Sequence, residues 1–86
     1  METRVAVISI IVEKEEAATA VNELLHKNKS GIIGRLGIPY PARQVSIICI
    51  AMDAPGDTIN ALTGALGRIQ GVTAKAAYAR VQDREP

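Results

Sequence analysis

Apolar and polar positions divide the chain into six segments of two kinds. "RVAVISIIV", residues 4–12, is a run of aliphatic and β-branched residues and predicts a strand. In "EKEEAATAVNELLHKN" the period changes. Ala17, Val21, Leu24 and Asn28 recur at helical spacing, with Ala18 and Leu25 beside them, which predicts an amphipathic helix. Its acidic start, Glu13, Glu15 and Glu16, suits the positive end of a helix dipole. "KSG" ends it, with Gly31 placed to take the left-handed conformation. "IIGRLGIPY" predicts a second strand. Gly34, Gly37 and a closing Pro39 suit a sheet edge or a bulge. "QVSIICIAM", residues 44–52, predicts a third strand. "DAPGD" then turns into a second helix over about 57–69, with Asp57 as its N-cap and Gly71 as its stop. "VTAKAAYARV" predicts a fourth strand, and "QDREP" a frayed polar tail.

The order β-α-β-β-α-β is the ferredoxin-like, split β-α-β pattern. Right-handed crossovers place both helices on one face of a four-stranded antiparallel sheet, an α+β sandwich. The first and third strands, the most apolar, belong in the centre. No linker divides residues 1–86, so one domain is expected, with an ordered core over about 4–81.

Both faces of the central strands are aliphatic. Strand one shows Val5, Val7, Ser9 and Ile11 on one face and Ala6, Ile8, Ile10 and Val12 on the other. Strand three shows Val45, Ile47, Cys49 and Ala51 against Ser46, Ile48, Ile50 and Met52. A sheet covered on one face alternates apolar with polar. Here the open face would carry a continuous apolar patch, which marks an interaction site. Burying each aliphatic side chain is worth about 1.5–3 kcal/mol. A second copy is therefore expected to cover this face, as a homodimer or homotetramer. Hydropathy does not assign the face, and the candidates are Val7, Ile8, Ile10, Ile48 and Ile50. In the second helix, Ile59, Leu62, Leu66 and Ile69 form the stripe for the sheet. Ala61, Gly64 and Ala65 run beside it, with Gly67 on a flank. Each glycine costs a helix about 1 kcal/mol relative to alanine. They read as room for the first helix or a neighbouring chain.

Composition strengthens the case for assembly. Of 86 residues none is Phe or Trp, and Tyr40 and Tyr78 are the only aromatics. A domain this small has a thin stability margin, which oligomerisation commonly supplements. The net charge of +1 argues against a general nucleic-acid binder, and no aromatics interleave with basic residues. One cysteine excludes an intrachain disulfide. The first apolar run is too short to span a membrane and lacks a signal-peptide cleavage site. A soluble cytoplasmic protein is expected.

Candidate chemistry is sparse. Arg35, between Gly34 and Gly37, has space to grip a carboxylate or phosphate in bidentate fashion. Its plainer role is an edge-strand charge that discourages further pairing. Arg43 and Arg68 either join it or cap carbonyls. His26 projects away from the apolar stripe of the first helix, and a metal site needs three or four converging ligands. Cys49, among isoleucines, reads as a structural cysteine in a buried setting. There is no P-loop, no G-x-S-x-G and no zinc spacing. "GIIGRLG" does not link a strand to a helix, so it is no dinucleotide fingerprint. No catalytic residue, metal or cofactor is expected.

Four stretches, "VNELLH", "GRLGIPY", "DTINALTGALGRIQGV" and the strand that follows, resemble the regulator family named for the iron-only hydrogenase system. The resemblance runs from about Arg4 to Arg80 and rests on the order and spacing of the pieces. It implies a small ACT-like, ferredoxin-like domain with a cytoplasmic regulatory role, assigned to hydrogenase maturation by genomic association. The fold it implies is similar to the sensing domain of the nickel-responsive repressor. That protein places a ribbon-helix-helix segment ahead of the sensor. Here strand one begins almost at once, so direct DNA binding is not expected. The repressor's nickel site needs several His and one Cys; with His26 and Cys49 alone it does not carry over. "DAPG", residues 53–56, is similar to the Asp-x-Pro-Gly turn of amino-acid-binding ACT domains, but follows the third strand instead of the first. Asp53, Pro55 and Gly56 therefore join Gly34, Arg35 and Gly37 as candidate ligand-binding residues, most of all where two chains meet.

The resulting expectation is a non-catalytic, oligomeric regulatory module that senses a small effector or a protein partner. The alternatives are a transcriptional regulator acting on DNA directly or through a partner, and a metal sensor using His26 and Cys49. The weakest is a small enzyme with Arg35 and Asp53 in a shared interfacial cleft.

Overall fold

The computed structural model describes residues 2–80. Six main elements follow in order: β1 (Arg4–Val12), α1 (Ala18–Lys27), β2 (Ile32–Tyr40), β3 (Val45–Ala54), α2 (Gly56–Gly67) and β4 (Val72–Tyr78). Short 3₁₀ turns occupy Glu15–Ala17, Lys29–Gly31 and Pro41–Arg43. The strands form one antiparallel sheet in the order β2-β3-β1-β4. The aliphatic strands β1 and β3 are central, and β2 with its glycines and proline is an edge. A bulge between Ile32 and Gly34 bends that edge. The fourth strand ends at Tyr78, and the polar tail lies outside the described residues.

One face of the sheet carries the core. Ala6, Ile8, Ile10 and Val12 of β1 and Ile50, Met52 and Ala54 of β3 are buried with Val21 and Leu25 of α1 and Ile59, Leu62 and Leu66 of α2. The α1 stripe enters through Ala17 and runs to Leu25, while Ala18 is exposed. Aliphatic packing alone fills this core, with no buried polar side chain among the described residues.

Three local expectations are corrected. Asp57 is not the N-cap of α2. β3 continues to Ala54, and Pro55 caps the helix, its carbonyl accepting from Thr58 N at 2.9 Å and Ile59 N at 3.1 Å. Asp57 sits in the first turn, where its charge favours the dipole. Gly31 does not take the left-handed conformation; among the described residues only Gln44 (φ 58°) and Gly71 (φ 87°) have positive φ. Asn28 closes α1 instead, donating from its backbone N to Leu25 O at 3.1 Å and from Nδ2 to Leu24 O at 2.8 Å. Gly31 supplies space: a Cβ there would lie 3.0 Å from the Ala54 Cβ. Gly64 and Gly67 do not make room for α1. A Cβ at Gly64 would meet only the Arg68 side chain, at 3.5 Å, and one at Gly67 would meet nothing within 4 Å.

Candidate functional site

The second face of the sheet has no helix over it. Strand register places its side chains in rows. Ile38, Ile47, Ile11 and Thr73 form one row across β2, β3, β1 and β4. Leu36, Cys49, Ser9 and Lys75 form the next, then Gly34, Ala51, Val7 and Ala77. Tyr40 pairs with Val45 at one end, and Asp53 with Val5 at the other. Six large apolar residues here, Val5, Val7, Ile11, Leu36, Ile38 and Tyr40, are 40–57% exposed. Both faces of β2 are exposed, from Ile33 to Tyr40.

This arrangement sorts the expected interface residues. Only Val7 of the five lies on the open face. Ile8, Ile10 and Ile50 are fully buried beneath the helices, and Ile48 is half-buried against the same core. The alternation of a strand explains the error: even positions of β1 and β3 point to the helices, odd ones away. Polar residues did not mark the phase, because Ser9 and Asp53 fall on the odd, uncovered set while Arg4 and Ser46 fall on the even one. Cys49 is likewise not fully buried. It is half-buried at the middle of the open face, beside Ser9 and Leu36.

The six expected ligand residues do not converge within one chain. Gly34 faces the open side with Ala51. Arg35 and Gly37 pair with Ile50 and Ile48 and face the helix side. There a groove of about 730 Å³ runs between α1 and the β2–β3 hairpin. Glu13, Lys14, Glu15, Asn22, Arg35 and Gln44 are among its lining residues, two carboxylates beside two cations. The exposed Arg35 guanidinium donates from Nη2 to Asn22 Oδ1 at 2.8 Å, which aims it along the groove wall. Asp53, Pro55 and Gly56 are not part of this lining and sit where β3 meets α2. Arg4 stacks there over the Tyr78 ring at 4.2 Å, and the Tyr78 hydroxyl hydrogen-bonds Asn60 Oδ1. Arg35 and Asp53 thus occupy opposite faces, which removes the intrachain basis for an Arg–Asp catalytic pair. His26 is exposed on α1. Among the described residues no three His, Cys, Asp or Glu side chains are grouped to hold a metal ion. No helix there is long and apolar enough to cross a membrane.

Comparison with known proteins gives a consistent picture. Residues 4–76 match the family described as "TM1266-like: Iron-only hydrogenase system regulator, putative". The structure of the uncharacterized protein TM1266 from Thermotoga maritima is 38% identical in sequence. It superposes with a TM-score of 0.88 over 92% of this chain and 100% of that one. The C-terminal domain of the MgtC protein from Mycobacterium tuberculosis has a TM-score of 0.70 at 14% identity, over 95% of this chain and 94% of that one. A formyltetrahydrofolate deformylase from Pseudomonas putida KT2440 has a TM-score of 0.62 at 9% identity, over 85% of this chain and 28% of that one. These last two share the fold alone. No curated protein matches the chain.

Proposed function

The chain belongs to the TM1266-like family of iron-only hydrogenase system regulators, and on that premise we propose that it is a non-catalytic regulatory module that acts through self-association. The observation that carries this reading is the open sheet face, where six large apolar side chains stand 40–57% exposed. A continuous apolar patch of this kind is often a functional surface. Its position opposite the helices makes it a built surface, distinct from the core.

The groove beside Arg35 is the place for a small anionic effector, in a protein that works in the cytoplasm. A guanidinium held by Asn22 offers its remaining donors to a carboxylate or phosphate. An effector there shifts assembly only by as much as its affinity differs between the free and the assembled chain. Native mass spectrometry on protein purified without oxygen tests the proposal. A mass of two or four chains supports it. Retained small-molecule mass that disappears in Arg35→Ala supports the effector role. A bare single-chain mass contradicts self-association.

A further inference from the structure

We infer that the open face pairs with the same face of a second copy about a two-fold axis along the row Leu36–Cys49–Ser9–Lys75. The inference rests on the self-association proposed above and specifies its geometry. The observation behind it is an asymmetry of bulk. On one side of that row stand Ile38, Ile47 and Ile11; on the other stand Gly34, Ala51, Val7 and Ala77. The first set is a ridge. The second, apart from Val7, is a valley of the smallest side chains.

A two-fold axis lying in the interface along the middle row exchanges the two sides. It keeps each strand over its counterpart with the direction reversed. Ile38 of one copy then rests over Gly34 of the other, Ile47 over Ala51, and Ile11 over Val7. Both contacts of each kind form at once, which is the self-complementarity a closed dimer requires. No other partner needs to be shaped to this surface, because the chain carries both halves of the fit. Asp53 lies at the end of the face; Lys75 ends the axis row on the edge strand β4, so the two-fold sets the two Lys75 residues opposite each other at the rim. Lys75 reaches the rim, where its amine extends into water while its stem covers apolar surface.

The six exposed side chains present roughly 500 Å² of apolar surface, a patch of the size that is often functional. The half-buried Val45, Ile47, Cys49 and Ala51 bring the face toward the roughly 800 Å² per partner of a standard interface. Packed sheets stand about 10 Å apart. The axis row therefore brings Cys49 of one copy near Cys49 of the other.

Two glycines test whether the open face is the one covered. A Cβ at Gly34 lies 3.9 Å from the Ala51 Cβ, an ordinary contact, and one at Gly37 meets nothing within 4 Å. Both positions accept a side chain within one chain, but only Gly34 lies in the valley. Gly34→Leu is expected to weaken dimerisation at least tenfold in sedimentation equilibrium, with the circular dichroism spectrum unchanged. Gly37→Leu, on the opposite face, is expected to stay within about twofold of the parent. In the unsubstituted protein, Cys49, the only cysteine, is expected to react with a maleimide at least tenfold more slowly at high protein concentration, where the face is covered, than at high dilution. This arm does not depend on any variant folding. A dimer that Gly34→Leu leaves intact and in which Cys49 reacts as fast as at high dilution overturns the face-to-face geometry while leaving self-association standing. An unsubstituted protein that is monomeric at tens of micromolar overturns both.

Discussion

The guanidinium of Arg35 donates to the side-chain oxygen of Asn22 at 2.8 Å, tying the exposed edge strand β2 to helix α1 across the mouth of the groove. Both residues are exposed, so the bond positions the cation more than it stabilises the fold. An exposed polar pair contributes about 0.2–1 kcal/mol. Asn22→Ala and Arg35→Ala are each expected to lower the melting temperature by only a few degrees. Titration calorimetry with inorganic phosphate is expected to show weak binding to the parent and none to Arg35→Ala. Equal binding by both would remove Arg35 from the groove's chemistry.

Gly71 sits at φ 87° between α2 and β4, and its carbonyl accepts from Glu13 N at 2.7 Å. A non-glycine residue in this region costs about 1–2 kcal/mol. A Cβ would also come within 2.6 Å of Lys14 Cγ. Gly71→Ala is therefore expected to destabilise by about 2 kcal/mol or more in urea unfolding. A change under half that would mean the turn relaxes freely.

Gly67 ends α2 in open space, so its missing side chain serves nothing within the chain. Gly67→Ala is expected to stabilise the fold by about 0.4–1 kcal/mol by restricting the unfolded chain. Gly64→Ala should follow more weakly, since its Cβ meets only the flexible Arg68 side chain. A loss of stability at both positions would place a neighbouring chain against α2.

Ile10 and Ile11 are adjacent, yet they belong to different interfaces. Ile10 is fully buried in the core and Ile11 is 40% exposed on the open face. Ile10→Ala is expected to cost about 2–5 kcal/mol, independent of protein concentration. Ile11→Ser should leave the isolated fold intact and weaken association. Chemical unfolding at two protein concentrations distinguishes them, because only an assembly-linked loss depends on concentration.

The contrast between Ile10 and Ile11 also shows what could be read without coordinates. The order of the six elements and the central place of β1 and β3 followed from β-branched runs, helical spacing and glycine–proline punctuation. The phase of the strands did not. Aliphatic residues cover both faces of β1, and hydropathy does not distinguish a face buried by helices from one left for another chain. The polar interruptions divide evenly, Ser9 and Asp53 on the open face and Arg4 and Ser46 on the helix side, so they did not settle it either. The candidate ligand set failed for a related reason. Neighbours such as Gly34 and Arg35 point to opposite faces in a strand, so proximity in sequence separated them in space. The cap of α2 was misplaced because β3 outlasted its apolar run. Asp53 and Ala54 still pair with Val5 and Arg4, which leaves Pro55 to turn the chain.

Sedimentation equilibrium of the purified, reduced protein over a dilution series tests the central claim most directly. The account predicts a mass of at least two chains at tens of micromolar that falls reversibly toward one chain on dilution. A single-chain mass at every concentration would contradict it, and would mean that the apolar rows around Cys49 and Ser9 remain in water.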